Sequence, residues 1–203
     1  MPSEAGSVSP LVGVLALQGD FEEHIASLRR LGIETQEVRT KGQLALVDSL
    51  IVPGGESTSM ANLVDTYALR EPLIAFARSG RPVWGTCAGL IMLSSKIREG
   101  KPEPLGLMDI VVSRNGFGRQ VDSFETDLAV EGLVGPKFHT VFIRAPKITA
   151  VGPSVEILAR LDDGTIVAAR QERMLVTSFH PELTQDDRIH EMFVGISKDA
   201  AIA

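Results

Sequence analysis

The fold of this chain is limited above all by a short apolar run near its beginning, LVGVLAL at residues 11–17. A run without polar alternation is typical of a strand buried on both faces of a sheet. The spacing then becomes helical, with apolar residues at Phe21, Ile25 and Leu28. A helix end is predicted at Gly32. A doubly buried strand followed by an amphipathic helix predicts a parallel sheet covered by helices.

The alternation of predicted strands and helices continues along the chain. The patterns predict strands at 34–40, 49–52 and 82–85 and helices at 57–77 (interrupted near Pro72) and 90–97. From residue 105 strands dominate, with a hairpin turn at Asp163-Gly164 and a last strand at 173–179, before a final helix that starts at Thr184. The sequence therefore predicts one three-layer α/β/α domain over residues 11–199, with a mostly parallel central sheet. A flexible N-terminal tail is predicted over residues 1–10.

Composition excludes several classes of protein. Asp plus Glu number 26 against 20 Lys plus Arg, which gives a net charge of −6, so nucleic-acid binding is not expected. A single cysteine cannot form an internal disulfide, and no apolar run reaches the ~18 residues of a membrane span. The first ten residues lack the features of a signal peptide. A cytoplasmic location with no membrane partner is predicted.

A candidate nucleophile, Cys87, lies in GTCAG (residues 85–89), between a predicted strand and a predicted helix. Glycines on both sides permit a tight turn that exposes the thiol above the sheet edge. The first N–H groups of the helix favour a thiolate and a developing oxyanion. The motif alone fits equally well a buried cysteine that packs as a small apolar side chain.

Of the four histidines, three are interpreted as structural or solvated. His24 and His190 lie in amphipathic helices among charged residues, which indicates exposed side chains. His139 begins a strand and has no polar grouping near it in the sequence. None of these three is a candidate base.

His180 differs because it follows an apolar strand, in SFHPE (residues 178–182). Pro181 favours an extended conformation at His180, and residues two apart in an extended segment point the same way. Glu182 can then orient the imidazole of His180, the arrangement that a general base needs. The alternative is a charged surface loop.

A third motif, PGGES (residues 53–57), also follows a predicted strand. Gly54 and Gly55 allow backbone N–H groups to approach a substrate closely. The alternative is an ordinary turn in which Ser57 or Thr58 caps the next helix. Ligands of open α/β sheets bind at the carboxyl ends of the strands, where all three motifs are predicted to lie. No metal-ligand spacing, Walker A motif or dinucleotide fingerprint is present, so no metal or cofactor is predicted.

These motifs, PGGES, WGTCAGL and SFHPE in this order, resemble the class I glutamine amidotransferase family. Five longer blocks resemble the branch that serves pyridoxal 5′-phosphate synthases: VGVLALQGDFEEHIASLRRLG, PGGESTSM, SRNGFGRQVDSFE, VFIRAP and SFHPELTQDDRIHEMF. They extend the resemblance from about Val12 to Phe193. The resemblance implies a flavodoxin-like class I glutamine amidotransferase-like domain. It also implies hydrolysis of L-glutamine, with delivery of ammonia to a (β/α)₈-barrel synthase subunit in vitamin B6 biosynthesis.

The resemblance assigns roles to the candidate residues. It implies Cys87 as the nucleophile, His180 as the general base and Glu182 as the residue that orients it. The oxyanion would be bound by backbone groups of Gly54, Gly55 and Ala88. The residues implied to bind glutamine are Gly55, Glu56, Ser57, Arg114, Ile143 and Arg144. The arginines suit the glutamine α-carboxylate, although the sequence leaves open which of them meets it.

Two other functions remain open at this point. One is a glutaminase subunit that serves a different synthase, such as the imidazole glycerol phosphate synthase. The other is a relative of the same fold that acts as a protease, chaperone or binding module. The presence of both His180 and Glu182 argues against a degenerate site.

Overall fold

A computed structural model describes residues 9–114 and 123–202. Residues 1–8 of the predicted tail and the RNGFGRQ block beyond Arg114 lie outside the described residues. The strands within those ranges are β1 (Val12–Leu15), β2 (Thr35–Val38), β3 (Ser49–Val52), β4 (Val83–Thr86), β5 (Ser94–Ile97), β6 (Met108–Ser113), β7 (Ser123–Leu128), β8 (Phe138–Ile143), β9 (Lys147–Val151), β10 (Glu156–Arg160), β11 (Ile166–Gln171) and β12 (Met174–Thr177). The helices are α1 (Phe21–Arg30), α2 (Lys41–Leu46), α3 (Ser57–Thr66), α4 (Arg70–Arg78), α5 (Ala88–Leu93) and α6 (Arg188–Ile202), and a 3₁₀ turn covers Pro181–Leu183.

Five parallel strands form the part of the sheet that carries the predicted motifs. Their order is β2-β1-β3-β4-β12, which is the 2-1-3-4-5 order of flavodoxin-like folds. The sheet continues from β12 through antiparallel β11 and β9 to β6 and β5, and β10 pairs with β11. Strands β7 and β8 form a separate antiparallel ribbon. The predicted α/β architecture with a mostly parallel central sheet is confirmed.

Each face of the sheet is covered by helices, because alternate strand residues point to opposite sides. On one face, α1 and α6 pack with Phe138 and Phe142 of the ribbon over Trp84. On the other face, α2, α3, α4 and α5 pack over residues that include Leu50 and Val52. Among the described helices, none is long and apolar enough to cross a lipid bilayer.

Two predicted helix boundaries are wrong. The helix predicted over 90–97 ends at Leu93, because the Ser94 hydroxyl donates to the Ile91 carbonyl and residues 94–97 instead pair with β6. The final helix begins at Arg188 rather than at Thr184. Asp187 does not complete a capping box there, since its carboxylate accepts hydrogen bonds from Arg30 at 2.6 and 2.9 Å.

The long helix predicted over 57–77 is interrupted, but earlier than Pro72. The break falls at 67–69, where Ala68 adopts a left-handed φ of 52°. Pro72 lies in the first turn of α4, where a missing N–H leaves no hydrogen bond unmade. The hairpin predicted at Asp163-Gly164 is confirmed by the antiparallel pairing of β10 with β11.

The beginning of α5 packs directly on β3 at Gly89. A Cβ atom at Gly89 would lie 2.0 Å from the carbonyl oxygen of Val52, a distance that no side chain can adopt. Gly85 also lies against α5, since its Cβ would lie 2.5 Å from the Gly89 carbonyl carbon. The two glycines of the GTCAG motif therefore permit the tight strand-to-helix turn.

We predict that Gly89→Ala destabilises the chain by about 2–4 kcal/mol, because the methyl group forces α5 away from β3. Gly195→Ala is the matched control: Gly195 lies in α6 with open space around its Cβ position. That change should be neutral or stabilise the helix by up to about 1 kcal/mol. Urea denaturation of both variants measures the difference, and equal stabilities would contradict the close contact.

Candidate active site

Four loops meet at the carboxyl edge of the parallel strands, beside the point where the strand order reverses. The loop after β1 carries Asp20, the loop after β3 carries the PGGES motif, β4 leads into Cys87, and β12 leads into His180. Parallel pairing of these strands brings their carboxyl ends to one edge, where such folds bind ligands. The structure therefore brings the three predicted motifs together.

Cys87 lies in the turn between β4 and α5 with a strained backbone. Its φ of 47° and ψ of −99° are unfavourable for a residue with a side chain. The Cys87 N–H donates to the Thr177 carbonyl at 2.8 Å, and the Cys87 carbonyl accepts from Ile91 N–H at 3.2 Å. The side chain is buried, yet Sγ lines a cavity and lies 4.0 Å from the Ile143 carbonyl oxygen.

His180 and Glu182 form a buried hydrogen bond of 2.7 Å between Nδ1 and Oε1. Asp20 Oδ2 lies 3.4 Å from the same ring nitrogen. Burial lowers the pKa of His180, but hydrogen bonds with the Cys87 thiol and the Glu182 carboxylate outweigh burial and raise its pKa above the ordinary value. Burial raises the pKa of Glu182, and the hydrogen bond from His180 opposes that rise. The geometry holds the imidazole between a thiol and a carboxylate.

One cavity of about 330 Å³ adjoins Cys87 and His180. A volume of this size is typical of small-molecule sites. All six residues that the resemblance assigned to glutamine binding line it, together with Asp20 and Ile91: Gly55, Glu56, Ser57, Arg114, Ile143 and Arg144. A larger, more open depression of about 600 Å³ lies elsewhere, beside His139 and Asp187, and contains none of the predicted site residues.

Of the two arginines that line the cavity, Arg114 pairs with a carboxylate. Its Nη2 donates to Glu56 Oε1 and Thr58 Oγ1, both at 3.2 Å. Burial raises the pKa of Glu56, but hydrogen bonds from Thr58 and Ser59 N–H outweigh it and lower the pKa to about 2. Glu56, not Ser57 or Thr58, is thus the N-cap of α3.

Arg144 has a left-handed φ of 41° and lines the same cavity. Within residues 9–114 and 123–202 its guanidinium makes no ion pair and no side-chain hydrogen bond. It is therefore the cation in this cavity whose charge no described carboxylate neutralises.

The three residues predicted to bind the oxyanion lie around the site: Gly54 is next to His180, Gly55 lines the cavity, and Ala88 follows Cys87 in the chain. A Cβ at Gly54 would lie 2.4 Å from His180 Cε1, so only glycine permits this approach of the backbone to the imidazole. Gly55 has a left-handed φ of 132° and contacts the Gln18 amide. Ala88 N–H opens α5, where N–H groups have no acceptor within the helix.

The interpretation of His24 and His190 as solvated side chains is wrong. Both are fully buried, and His24 Nδ1 lies 3.0 Å from His190 Nε2. His24 comes three residues after Phe21 and four before Leu28, which places it on the apolar face of α1. That spacing was the signal that could have identified it, and the charged neighbours in the sequence obscured it.

His139 is also corrected. No carboxylate stands near it in the sequence, but strand β7 places Asp127 and Glu125 beside it. Asp127 Oδ1 lies 2.8 Å from Nδ1, and Glu125 Oε2 lies 3.0 Å from Nε2. The hydrogen bonds to Asp127 and Glu125 raise the pKa of this exposed histidine. Cross-strand partners of this kind cannot be identified without knowing the register.

One group among the described residues has donor atoms close enough to hold a metal ion: Asp20, His180 and Glu182. The atoms in question are those of the His180–Glu182 hydrogen bond and its Asp20 neighbour.

Comparison with known proteins identifies close relatives. The family model described as the SNO glutamine amidotransferase family matches residues 14–198. A pyridoxal 5′-phosphate synthase subunit PdxT from Herpetosiphon aurantiacus is 57% identical over 188 residues, covering 91% of this chain and 99% of the relative. The PdxT subunit from a Parafrankia species is 53% identical over 190 residues, covering 93% of each chain.

Solved structures of glutamine amidotransferases have the same fold as this chain. A crystal structure of a glutamine amidotransferase superposes with a TM-score of 0.86 at 49% identity, covering 92% of this chain and 98% of the other. The structure of PurLQS from Thermotoga maritima has a TM-score of 0.67 at 16% identity, covering 96% of this chain and 98% of the other, and shows the fold alone. The described residues thus have a class I glutamine amidotransferase-like fold.

The buried histidine pair generates a prediction on pH and stability. Burial lowers the pKa of His190 to about 4, so the folded chain keeps it neutral while the unfolded chain protonates it below about pH 6.5. Stability that depends on neutral His190 is therefore present above pH 6.5 and lost as the pH falls. We expect the advantage of wild type over His190→Gln to shrink by about 1.4 kcal/mol per pH unit between pH 6.5 and 5.

Urea denaturation at several pH values measures this difference, and His139→Gln is the matched control. The pKa of His139 is raised in the folded chain, so below pH 6.5 both states are protonated there and the difference should stay constant. A His190→Gln difference that is independent of pH would contradict the buried neutral pair.

Proposed function

Because the chain belongs to the SNO glutamine amidotransferase family, we propose that Cys87, His180 and Glu182 are the triad with which it hydrolyses glutamine. The chain is the glutaminase subunit of a pyridoxal 5′-phosphate synthase, and it supplies ammonia for vitamin B6 biosynthesis. The observation that carries the triad is the His180–Glu182 hydrogen bond of 2.7 Å beside a thiol that opens into the cavity.

The proposed reaction begins with transfer of the Cys87 proton to His180 Nε2, which is free because Nδ1 is bonded to Glu182. The thiolate attacks the side-chain amide carbon of glutamine and forms a tetrahedral oxyanion. The C–N bond then breaks, His180 returns its proton to the departing nitrogen, and ammonia leaves a glutamyl thioester. Water, deprotonated by His180, hydrolyses the thioester to glutamate and restores the thiol. The raised pKa of His180 supports this role, since the imidazolium must be stable beside the thiolate.

The oxyanion would accept hydrogen bonds from backbone N–H groups. Ala88 N–H lies next to the nucleophile at the beginning of α5, and the Gly54-Gly55 segment reaches the imidazole from the opposite loop. A peptide between glycines can rotate at little conformational expense, so docking of a partner can bring its N–H into the oxyanion position. One such donor is worth roughly 10²–10³ in rate.

Glutamine would bind with its α-carboxylate near Arg144. Arg114 already donates to Glu56, whereas Arg144 has no described carboxylate partner. Gly55, Ser57 and Ile143 then complete the cavity, and Glu56 fixes the beginning of α3 as its N-cap.

The proposed partner is a (β/α)₈-barrel synthase subunit that receives the ammonia. Ammonia released into water at neutral pH is protonated and lost as a nucleophile, so low activity before docking is an advantage. Relatives at 50–57% identity named as pyridoxal 5′-phosphate synthase subunits favour this partner over the imidazole glycerol phosphate synthase. A cytoplasmic location stays a prediction from the sequence.

Production of glutamate from glutamine, measured with and without the barrel subunit, tests the proposed function. We expect a low rate for the isolated chain and a strong increase, on the order of 10²-fold, with the partner. Iodoacetamide should abolish both rates, and Cys87 is the single cysteine it can label. Near-normal turnover by Cys87→Ser would contradict the triad, whereas a full rate without partner would contradict only the rotation of the Gly54-Gly55 peptide.

The two arginines provide a second prediction. Arg144→Met should raise the KM for glutamine about 10–100-fold, because it removes a charge-assisted hydrogen bond worth about 1.5–3 kcal/mol. Arg114→Met is the matched control and should raise the KM less, since its charge is shared with Glu56. The reverse order of the two KM values would assign the carboxylate to Arg114.

A further inference from the structure

A pair of buried histidines lies directly behind the triad, and the reaction described above does not use it. His24 Nε2 lies 3.5 Å from Glu182 Oε2, the carboxylate oxygen that faces away from His180. The same nitrogen lies 3.2 Å from Thr86 Oγ1, one residue before the nucleophile. On its other side, His24 Nδ1 is 3.0 Å from His190 Nε2. None of these contacts reaches the cavity in which glutamine is proposed to bind.

Two buried polar atoms of this group have no hydrogen-bond partner among the described residues. They are Glu182 Oε2 and His190 Nδ1. An unpaired buried donor costs about 1–3 kcal/mol, so each such atom needs a physical explanation. Glu182 Oε2 is an acceptor, and the ring nitrogen 3.5 Å from it, His24 Nε2, can supply a donor.

Both histidines of the pair are neutral in the folded chain. Burial, and next the charge of His190, lower the pKa of His24 well below its ordinary value. Burial lowers the pKa of His190 to about 4. A neutral imidazole has one N–H and one bare nitrogen, so the contact between the rings can exist in two tautomeric forms.

The two forms are not equivalent. If His24 Nδ1 carries the proton, His24 Nε2 presents a lone pair to the Glu182 carboxylate, and His190 Nδ1 becomes a buried N–H with no described acceptor. If His190 Nε2 carries the proton, its N–H donates a hydrogen bond to His24 Nδ1, and His24 Nε2–H points at Glu182 and Thr86. His190 Nδ1 is then only a bare acceptor. The second form pairs Glu182 Oε2 with a donor and removes the buried unpaired N–H, and it leaves one bare nitrogen, His190 Nδ1.

We propose that His24 is a positioning residue, which His190 holds as the Nε2–H tautomer so that it donates to the outer oxygen of Glu182. The carboxylate is then fixed by donors on both oxygens, with His180 Nδ1 on Oε1 and His24 Nε2 on Oε2. A neutral donor fixes the carboxylate without drawing its charge away from the imidazolium of His180. The catalytic consequence rests on the proposed function, while the hydrogen bond itself does not.

The tautomers can be observed directly in the complete chain labelled with ¹⁵N-histidine. Two-bond ¹H–¹⁵N correlations near neutral pH distinguish a protonated nitrogen from a bare one in each ring. We expect His24 and His190 both to carry their proton on Nε2. A proton on His24 Nδ1 would overturn the proposal, whether or not the chain hydrolyses glutamine.

The effect on catalysis is tested with two variants of His24, in the complex with the synthase subunit. His24→Leu removes the donor and should lower kcat about 10–100-fold, the usual effect of losing an orienting partner, with the KM for glutamine unchanged. His24→Gln can place an amide N–H where Nε2 lies and should recover most of kcat. His139→Leu and His139→Gln are matched controls at an exposed histidine and should leave both constants unchanged.

Folding of each variant is checked by the fluorescence of Trp84, the single tryptophan, whose ring centroid lies 5.3 Å from that of His24 and 4.9 Å from that of His190. A folded His24→Leu with wild-type kcat would overturn the positioning role, as would a folded His24→Gln no more active than His24→Leu. If His24→Leu does not fold, the positioning role is tested by comparing kcat of His24→Gln with that of wild type and by the tautomer measurement. Hydrolysis of glutamine by the wild-type chain tests the proposed function separately from the results on the His24 variants.

Discussion

The parallel pairing of β4 with β3 on one side and β12 on the other determines most of what this chain can do. Val83 and Trp84 are paired with both neighbours in one register, so β3, β4 and β12 end at the same level. The loops that follow must share one edge, and there they bring together glycine backbone, a thiol and an imidazole. The contact of α5 with β3 at Gly89 then fixes the direction of the turn at Cys87.

The strain at Cys87 is tolerated because its backbone is held on both sides. Its N–H is bonded to β12 through Thr177, and its carbonyl is bonded within α5 through Ile91. Residues in such backbone conformations cost about 1–3 kcal/mol and persist only where the surroundings impose them. The sheet and the helix impose this one, and the result is a side chain directed into the cavity rather than into the core.

The parts of the site that follow buried strands could be predicted from the sequence, since an apolar run and the loop after it are adjacent in the chain. Contacts between segments that are distant in the chain could not be predicted from the sequence. Strand β5 falls within the helix predicted over 90–97, and its partner β6 lies in a later segment of the chain. The partners of His139 required the register of β7 with β8. His24 differs, since its spacing from Phe21 and Leu28 places it on the apolar face of α1 although its neighbours in the sequence are charged.

A buried carboxylate must be kept ionised if it is to stabilise an imidazolium. Burial drives Glu182 toward its neutral form, and Asp20 adds to that effect. One hydrogen bond from His180 to Oε1 opposes that shift. The proposed donor on the second oxygen, the neutral imidazole of His24, adds to that opposition. In the proposed tautomer, the donors run from His190 through His24 to this carboxylate, and the network stops at the bare His190 Nδ1.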